Sequence, residues 1–122
     1  MAKILLIEDD KMLSDMYAAK FTKAGHTVSQ ADNGAKGLKM AKDEKPDIVL
    51  LDIIMPKMDG FATLKGIRKD ANIKDVPVIL LTNLGQEEDI KKGKELGADD
   101  YYIKANHTPT EVVEKVEDLL KK

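Results

Sequence analysis

The 122-residue chain contains no cysteine. That excludes disulfides, thiolate metal sites and thiol nucleophiles together. A large excess of charge of one sign is also missing: the formal net charge is −2 and the pI about 5.7. Without a basic field, direct nucleic-acid binding is not expected. No run approaches the roughly 18 apolar residues that cross a bilayer, so no membrane partner is expected. The N-terminus reaches an acidic cluster too soon for a secretory signal. Linkers, internal repeats, low-complexity segments and a helix-turn-helix are absent as well. The expectation is one cytoplasmic domain over residues 1–122 with no output domain.

What is present alternates. Hydrophobic residues make up 43% of the chain and charged residues 34%, the latter read as solvated helical faces. Short apolar runs at 3–7, 48–51 and 76–82 read as buried strands. Residues 26–31 read as an edge strand and 100–104 as a fifth strand. Between them lie helical patterns. Residues 11–24 place Met12, Met16, Ala19 and Phe21 near helical spacing before Gly25. Residues 34–44 carry Leu38 and Ala41, and 60–70 carry Phe61, Leu64 and Ile67. Residues 86–96 are charged and stop at Gly97. Thr108, Pro109 and Glu111 form a capping-box start for a last helix bearing Val112, Val113, Val116, Leu119 and Leu120. The Lys121-Lys122 tail reads as a frayed end. Five strands alternating with five helices predict an α/β domain built on a parallel sheet.

In such a sheet, functional groups gather beyond the carboxyl ends of the strands. The first strand ends in Glu8-Asp9-Asp10, the third in Asp52, the fourth in Thr82 and the fifth in Lys104. Clustered carboxylates favour a hard divalent cation; Mg²⁺ takes one or two of them and keeps several waters. A hydroxyl and an ammonium add groups that bind phosphoryl oxygens. Metal, nucleophile and charge clamp are what phosphoryl transfer needs. A carboxylate can itself be the nucleophile, giving an acyl phosphate. Asp52 opens the stretch LDIIMPKMDG, in which an apolar strand ends on a carboxylate and turns through Pro56, Asp59 and Gly60.

In combination, ILLIEDD, LDIIMPKMDG, Thr82 and Lys104 resemble the response-regulator receiver domain of two-component signalling, as in single-domain chemotaxis-type regulators. The resemblance runs over essentially the whole chain. It implies a flavodoxin-like receiver fold: a doubly wound five-stranded parallel sheet, order 2-1-3-4-5, with helices on both faces. It makes Asp52 the phosphoacceptor, and Thr82 and Lys104 the groups that bind the phosphoryl. Strand alternation and the resemblance together make Glu8 and Asp9 the acidic pair, with Asp10 left to cap the first helix. Mg²⁺, or Mn²⁺ in its place, would be held by Asp9, Asp52, the backbone carbonyl of Ile54 and, through water, Glu8. Tyr101 resembles the aromatic switch residue that turns inward when the threonine moves. The implied partners are a sensor histidine kinase or phosphotransfer protein and an unknown downstream protein. The chain would be a monomer or a phosphorylation-dependent dimer. It would catalyse only its own phosphotransfer and dephosphorylation, and so is no ordinary enzyme.

Three positions depart from the family pattern. Ala105 follows Lys104 where the family usually has proline, often in cis; a trans bond and a reshaped loop are expected here. Asn83 stands where a small residue is usual, and is expected to narrow access to Asp52. Ile54 is apolar where some relatives place a polar side chain near the attacking water. Slow self-dephosphorylation is therefore expected. Tyr101 and Tyr102 are adjacent and point to opposite faces of their strand. Met12, Met55 and Met58 read as packing residues, and His26 and His107 as surface residues without a function. Lys91, Lys92 and Lys94 lie near the family's usual output surface.

Two other classes stand beside this reading. One is a constitutive binding module with an unused pocket. The other is an enzyme on the same architecture. A haloacid-dehalogenase-type phosphatase needs a second Asp where Ile54 stands, a flavodoxin needs a phosphate loop where Glu8-Asp9-Asp10 stand, and a dinucleotide enzyme needs an absent GxGxxG.

Overall fold

The computed structural model describes residues 1–121. The tail reading for Lys122 lies outside the described residues. Five strands, β1 (Lys3–Ile7), β2 (Thr27–Ala31), β3 (Ile48–Leu51), β4 (Val78–Thr82) and β5 (Asp100–Ile103), alternate with five α-helices. The helices are α1 (Lys11–Lys23), α2 (Gly34–Glu44), α3 (Gly60–Lys69), α4 (Glu87–Glu95) and α5 (Pro109–Leu120). The sheet has the predicted order β2-β1-β3-β4-β5, and every pairing is parallel.

The three central strands are apolar on both faces because each face is covered. Leu5, Ile7, Val49, Leu51, Val78 and Leu80 pack with Leu64 and Ile67 of α3 and Ala41 of α2. The alternate residues Ile4, Leu6, Ile48, Leu50, Ile79 and Leu81 pack with Tyr17 and Phe21 of α1 and with Val112 and Val116 of α5. Each fully buried Leu or Ile side chain favours folding by roughly 1.5–3 kcal/mol. Among the described residues, no helix is long and apolar enough to cross a membrane.

Helix ends follow local chemistry. Asp10 Oδ1 accepts from Leu13 N–H at 3.1 Å and opens α1. Gly25, at φ +98°, lets the chain leave it. The predicted capping box is complete: Glu111 N–H donates to Thr108 Oγ1 at 3.1 Å, and Thr108 N–H to Glu111 Oε1 at 2.8 Å. Thr108→Ala should lower stability by about 1 kcal/mol. Chemical denaturation checks this; an unchanged midpoint would show that the box contributes nothing.

Several expectations need correction. The buried stripe of α1 is Ser14, Tyr17 and Phe21, not Met12 and Ala19. Met12 is 82% exposed, because the helix is rotated about its axis so that Tyr17 meets the sheet. β4 begins at Val78, two residues late, since Pro77 has no N–H to donate; its carbonyl still accepts from Val49 N–H at 2.9 Å. β5 stops at Ile103, and Lys104 opens a 3₁₀ turn over Lys104–Asn106. His26 is not a free surface residue: its side chain is only 8% exposed. Ala2 N–H donates to its Nδ1 at 3.0 Å, so Nε2–H donates to Glu117 Oε2 at 2.9 Å.

Arg68 is the chain's one arginine, and it closes the other end of the sheet. Its guanidinium donates to the carbonyls of Gly97, Lys74 and Val76 and to Asp99 Oδ2. Asp99 Oδ2 also accepts from Val78 N–H at 2.7 Å, so one cluster fixes the starts of β4 and β5.

Candidate functional site

The acids and the lysine meet because neighbouring parallel strands end level with one another. Past β1, Glu8 N–H donates to Ala31 O at 3.0 Å; past β3, Asp52 N–H donates to Ile7 O at 3.0 Å. The sheet's hydrogen bonding thus carries both residues one step beyond the strands. Glu8 is 3% exposed and Asp52 7%. Asp9 is exposed to solvent. One oxygen from each of Glu8, Asp9 and Asp52 lies within 4.8 Å of the others.

The turn after Asp52 explains the residues of LDIIMPKMDG. Lys57 takes φ +68°, and Met58 N–H bonds Pro56 O at 2.9 Å. Asp59 Oδ1 accepts from Ala62 N–H at 2.9 Å and caps α3. Gly60 N–H returns to Ile53 O at 2.8 Å. A Cβ at Gly60 would collide with the backbone carbonyl of Asp52 and the Cα of Ile53. Only glycine lets α3 start this close to Asp52. The same turn orients Asp52, whose Oδ1 accepts from Ile53 N–H at 2.7 Å.

Lys104 reaches in from the end of β5. Its ammonium lies 3.2 Å from Asp52 Oδ2 and also bonds Glu8 Oε1. Burial alone would lower its pKa, but the bond to Glu8 and the charge of Asp52 outweigh that and raise it. The ammonium is therefore held charged. Burial pushes the Glu8 carboxyl up to about 7, the Lys104 bond opposes this, and the charge of Asp52 adds to it. Three carboxylates face one ammonium, so the pocket favours a further cation. The donors are all hard oxygens, and they fit Mg²⁺ better than a softer metal.

Thr82 is fully buried at the end of β4. Its Oγ1 accepts from Leu84 N–H at 3.3 Å. Tyr101 is also buried and donates its hydroxyl to Leu84 O. Burial, with the charges of Asp89 and Asp52, pushes that hydroxyl up to about 12, so it is a donor at neutral pH. Leu84 therefore joins Thr82 to Tyr101 through its own main chain. The sequence carries no signal for this, because any residue supplies the same N–H and C=O. Tyr102, on the opposite face, donates to Asp100 Oδ2 at 2.7 Å. Ile54 is 59% exposed. The side-chain carbonyl of Asn83 accepts from Ala105 N–H at 3.1 Å, and the bond before Ala105 is trans, as expected.

A cavity of about 690 Å³ opens at the other end of the sheet beside His26, Asp47 and Glu117. It contains none of the groups gathered above. Chemistry, not cavity size, marks the site.

The comparisons with known proteins point the same way. The model of the response regulator receiver domain matches residues 4–117. The chain is 42% identical over 104 residues to the DNA-binding dual master transcriptional regulator RpaA of Synechocystis sp., covering 85% of this chain and 43% of that protein. It is 42% identical over 104 residues to Protein PilH of Pseudomonas aeruginosa, covering 85% of this chain and 86% of that one. The chain thus spans less than half of the first relative and most of the second. Among solved structures, the Vibrio cholerae chemotaxis protein CheY4 superposes with a TM-score of 0.90 at 28% identity, covering 97% of this chain and 98% of that one. The receiver domain of the Francisella response regulator 1452 gives 0.90 at 30% identity, covering 99% and 98%.

Proposed function

Because this chain belongs to the response regulator receiver family, we propose that Asp52 accepts a phosphoryl group from a sensor histidine kinase or phosphotransfer protein and that the new charge alters a protein-interaction surface. A receiver domain is a phosphoacceptor of two-component signalling, not an ordinary enzyme. The observation that carries the finer reading is the position of Asp52. It is a buried carboxylate bonded to the Lys104 ammonium, with Glu8 and Asp9 within 4.8 Å.

Asp9, Asp52, the Ile54 carbonyl and, through water, Glu8 would hold Mg²⁺, with Mn²⁺ as a substitute. When bound, the ion offsets the clustered negative charge and draws phosphate oxygens. One Asp52 oxygen attacks phosphorus as the phosphorus–nitrogen bond of the donor's phosphohistidine breaks. The electron pair returns to the imidazole nitrogen, which takes up a proton from water. Lys104 stays protonated and neutralises one phosphoryl oxygen, and the Thr82 hydroxyl donates to another. A shift of the Thr82 side chain toward the phosphoryl group stretches the bond its Oγ1 accepts from Leu84 N–H. Leu84 also holds Tyr101, so the change at Asp52 reaches the face built by α4, β5 and α5. Lys91 and Lys94 belong to this side, and Lys92 sits 4.6 Å over the Phe61 ring.

Incubation with acetyl phosphate, followed by intact-mass measurement, tests the reading. One phosphoryl adduct should form with Mg²⁺ and none with a chelator. The adduct should persist for minutes or longer, since Ile54 offers no polar group to orient an attacking water. A lifetime of seconds would overturn the slow-release expectation. Failure with both acetyl phosphate and a histidine-kinase donor would overturn the phosphoacceptor role.

A further inference from the structure

Asn83 follows Thr82, and Ala105 follows Lys104. The last paired residues of β4 and β5 are Thr82 and Ile103. One step further, the strands part, and Lys104 turns into the 3₁₀ segment Lys104–Asn106. The opening N–H groups of such a turn have no partner inside it. Ile103, at the capping position, offers no side-chain acceptor. The turn's own bond runs from His107 N–H to Lys104 O at 3.3 Å. Ala105 N–H is answered from the neighbouring strand, by Asn83 Oδ1 at 3.1 Å.

We infer that Asn83 is a positioning residue for Lys104: it caps, from the end of β4, the turn that carries the lysine. The inference rests on the phosphoacceptor reading above. Lys104 has a flexible four-carbon stem, and its ammonium must arrive between Glu8 and Asp52. A fixed main chain at the root of that stem narrows where the ammonium falls. The Asn83 bond is made one residue beyond that root. It also ties the two phosphoryl-binding residues together. Thr82 is covalently next to the acceptor, and Lys104 is covalently next to the donor. A shift of Thr82 toward the phosphoryl group therefore pulls on the turn that bears Lys104. Asn83 and Ala105 make one device: an acceptor on one strand end and a donor N–H on the other. Proline at 105 would have no N–H to offer.

The test uses wild type, Asn83→Ala and Asn83→Asp. Two quantities are read: hydrogen exchange at the Ala105 amide, and the rate of Mg²⁺-dependent phosphorylation by acetyl phosphate. In Asn83→Ala the Ala105 amide should exchange about five- to tenfold faster, the effect of losing one neutral hydrogen bond. Phosphorylation should slow by about three- to tenfold as the lysine loses its setting. Asn83→Asp keeps the acceptor, so it should restore amide protection and regain part of the rate. A phosphorylation rate for Asn83→Ala within about 1.5-fold of wild type, or faster than wild type as a merely obstructing Asn83 would give, overturns the assignment, given that a lost hydrogen bond shifts rates by more. So does a slowed Asn83→Ala whose Ala105 amide stays protected. If wild type itself takes no phosphoryl group from acetyl phosphate or a kinase donor, the phosphoacceptor reading fails, and this assignment falls with it. A phosphorylated wild type beside an equally fast Asn83→Ala removes only the assignment.

Discussion

Asp52→Asn should abolish phosphorylation, with no adduct detectable under conditions that fully modify wild type. The expected loss is about three orders of magnitude or more in rate, because an amide cannot form the acyl phosphate. The substitution is close to isosteric. The introduced amide oxygen would keep the bond that Asp52 now accepts from Ile53 N–H at 2.7 Å. Lys104 would keep Glu8 as its partner. The fold should therefore survive, and circular dichroism with a thermal scan would establish that. Intact mass after acetyl phosphate and Mg²⁺ is the deciding measurement. An adduct on the Asp52→Asn protein at the wild-type rate would place the phosphoacceptor elsewhere and remove the central assignment.

Arg68→Ala should be the most destabilising single surface change, at about 3 kcal/mol. That corresponds to a fall in thermal midpoint of about 10 °C for a domain of this size. Arg68 donates to three backbone carbonyls, those of Gly97, Lys74 and Val76, and to the Asp99 carboxylate. Its side chain is only 20% exposed, so water replaces these bonds poorly. Arg68→Lys should recover less than half of the loss, because one ammonium cannot fork between several acceptors. Urea denaturation of the three proteins measures this. A cost below about 1 kcal/mol would put Arg68 among ordinary surface ion pairs.

Both predictions lie on side chains that the sequence presents very differently. Asp52 is legible because it ends an apolar strand and opens a turn of Pro56, Asp59 and Gly60. Arg68 carries no such mark. Its partners Gly97 and Asp99 lie 29 and 31 residues away, and only chain folding brings them near. The surface expectation for His26 fails for the same reason: its partner Glu117 is 91 residues distant. The stripe of α1 shows a subtler failure. Of the helically spaced Met12, Met16, Ala19 and Phe21, Phe21 is buried and Met16 packs against the same core, but Met12 and Ala19 are exposed, and Ser14 and Tyr17 complete the inner face. Adjacent stripes of a helix differ by little in apolar content, and the sheet beneath selects between them.

The sequence by itself determined the alternation of strands and helices, the helix starts at Asp10 and Thr108, and the collection of Glu8, Asp9, Asp52, Thr82 and Lys104 at one sheet edge. Those features depend on the apolar period and on capping and turn chemistry, which act within a few residues. The tertiary structure alone decided that Lys104 bonds Glu8 across 96 residues of chain, that Leu84 joins Thr82 to Tyr101, and that Asn83 holds Ala105. Such contacts depend on strand register and on main-chain groups that every residue shares, so no residue type announces them in advance.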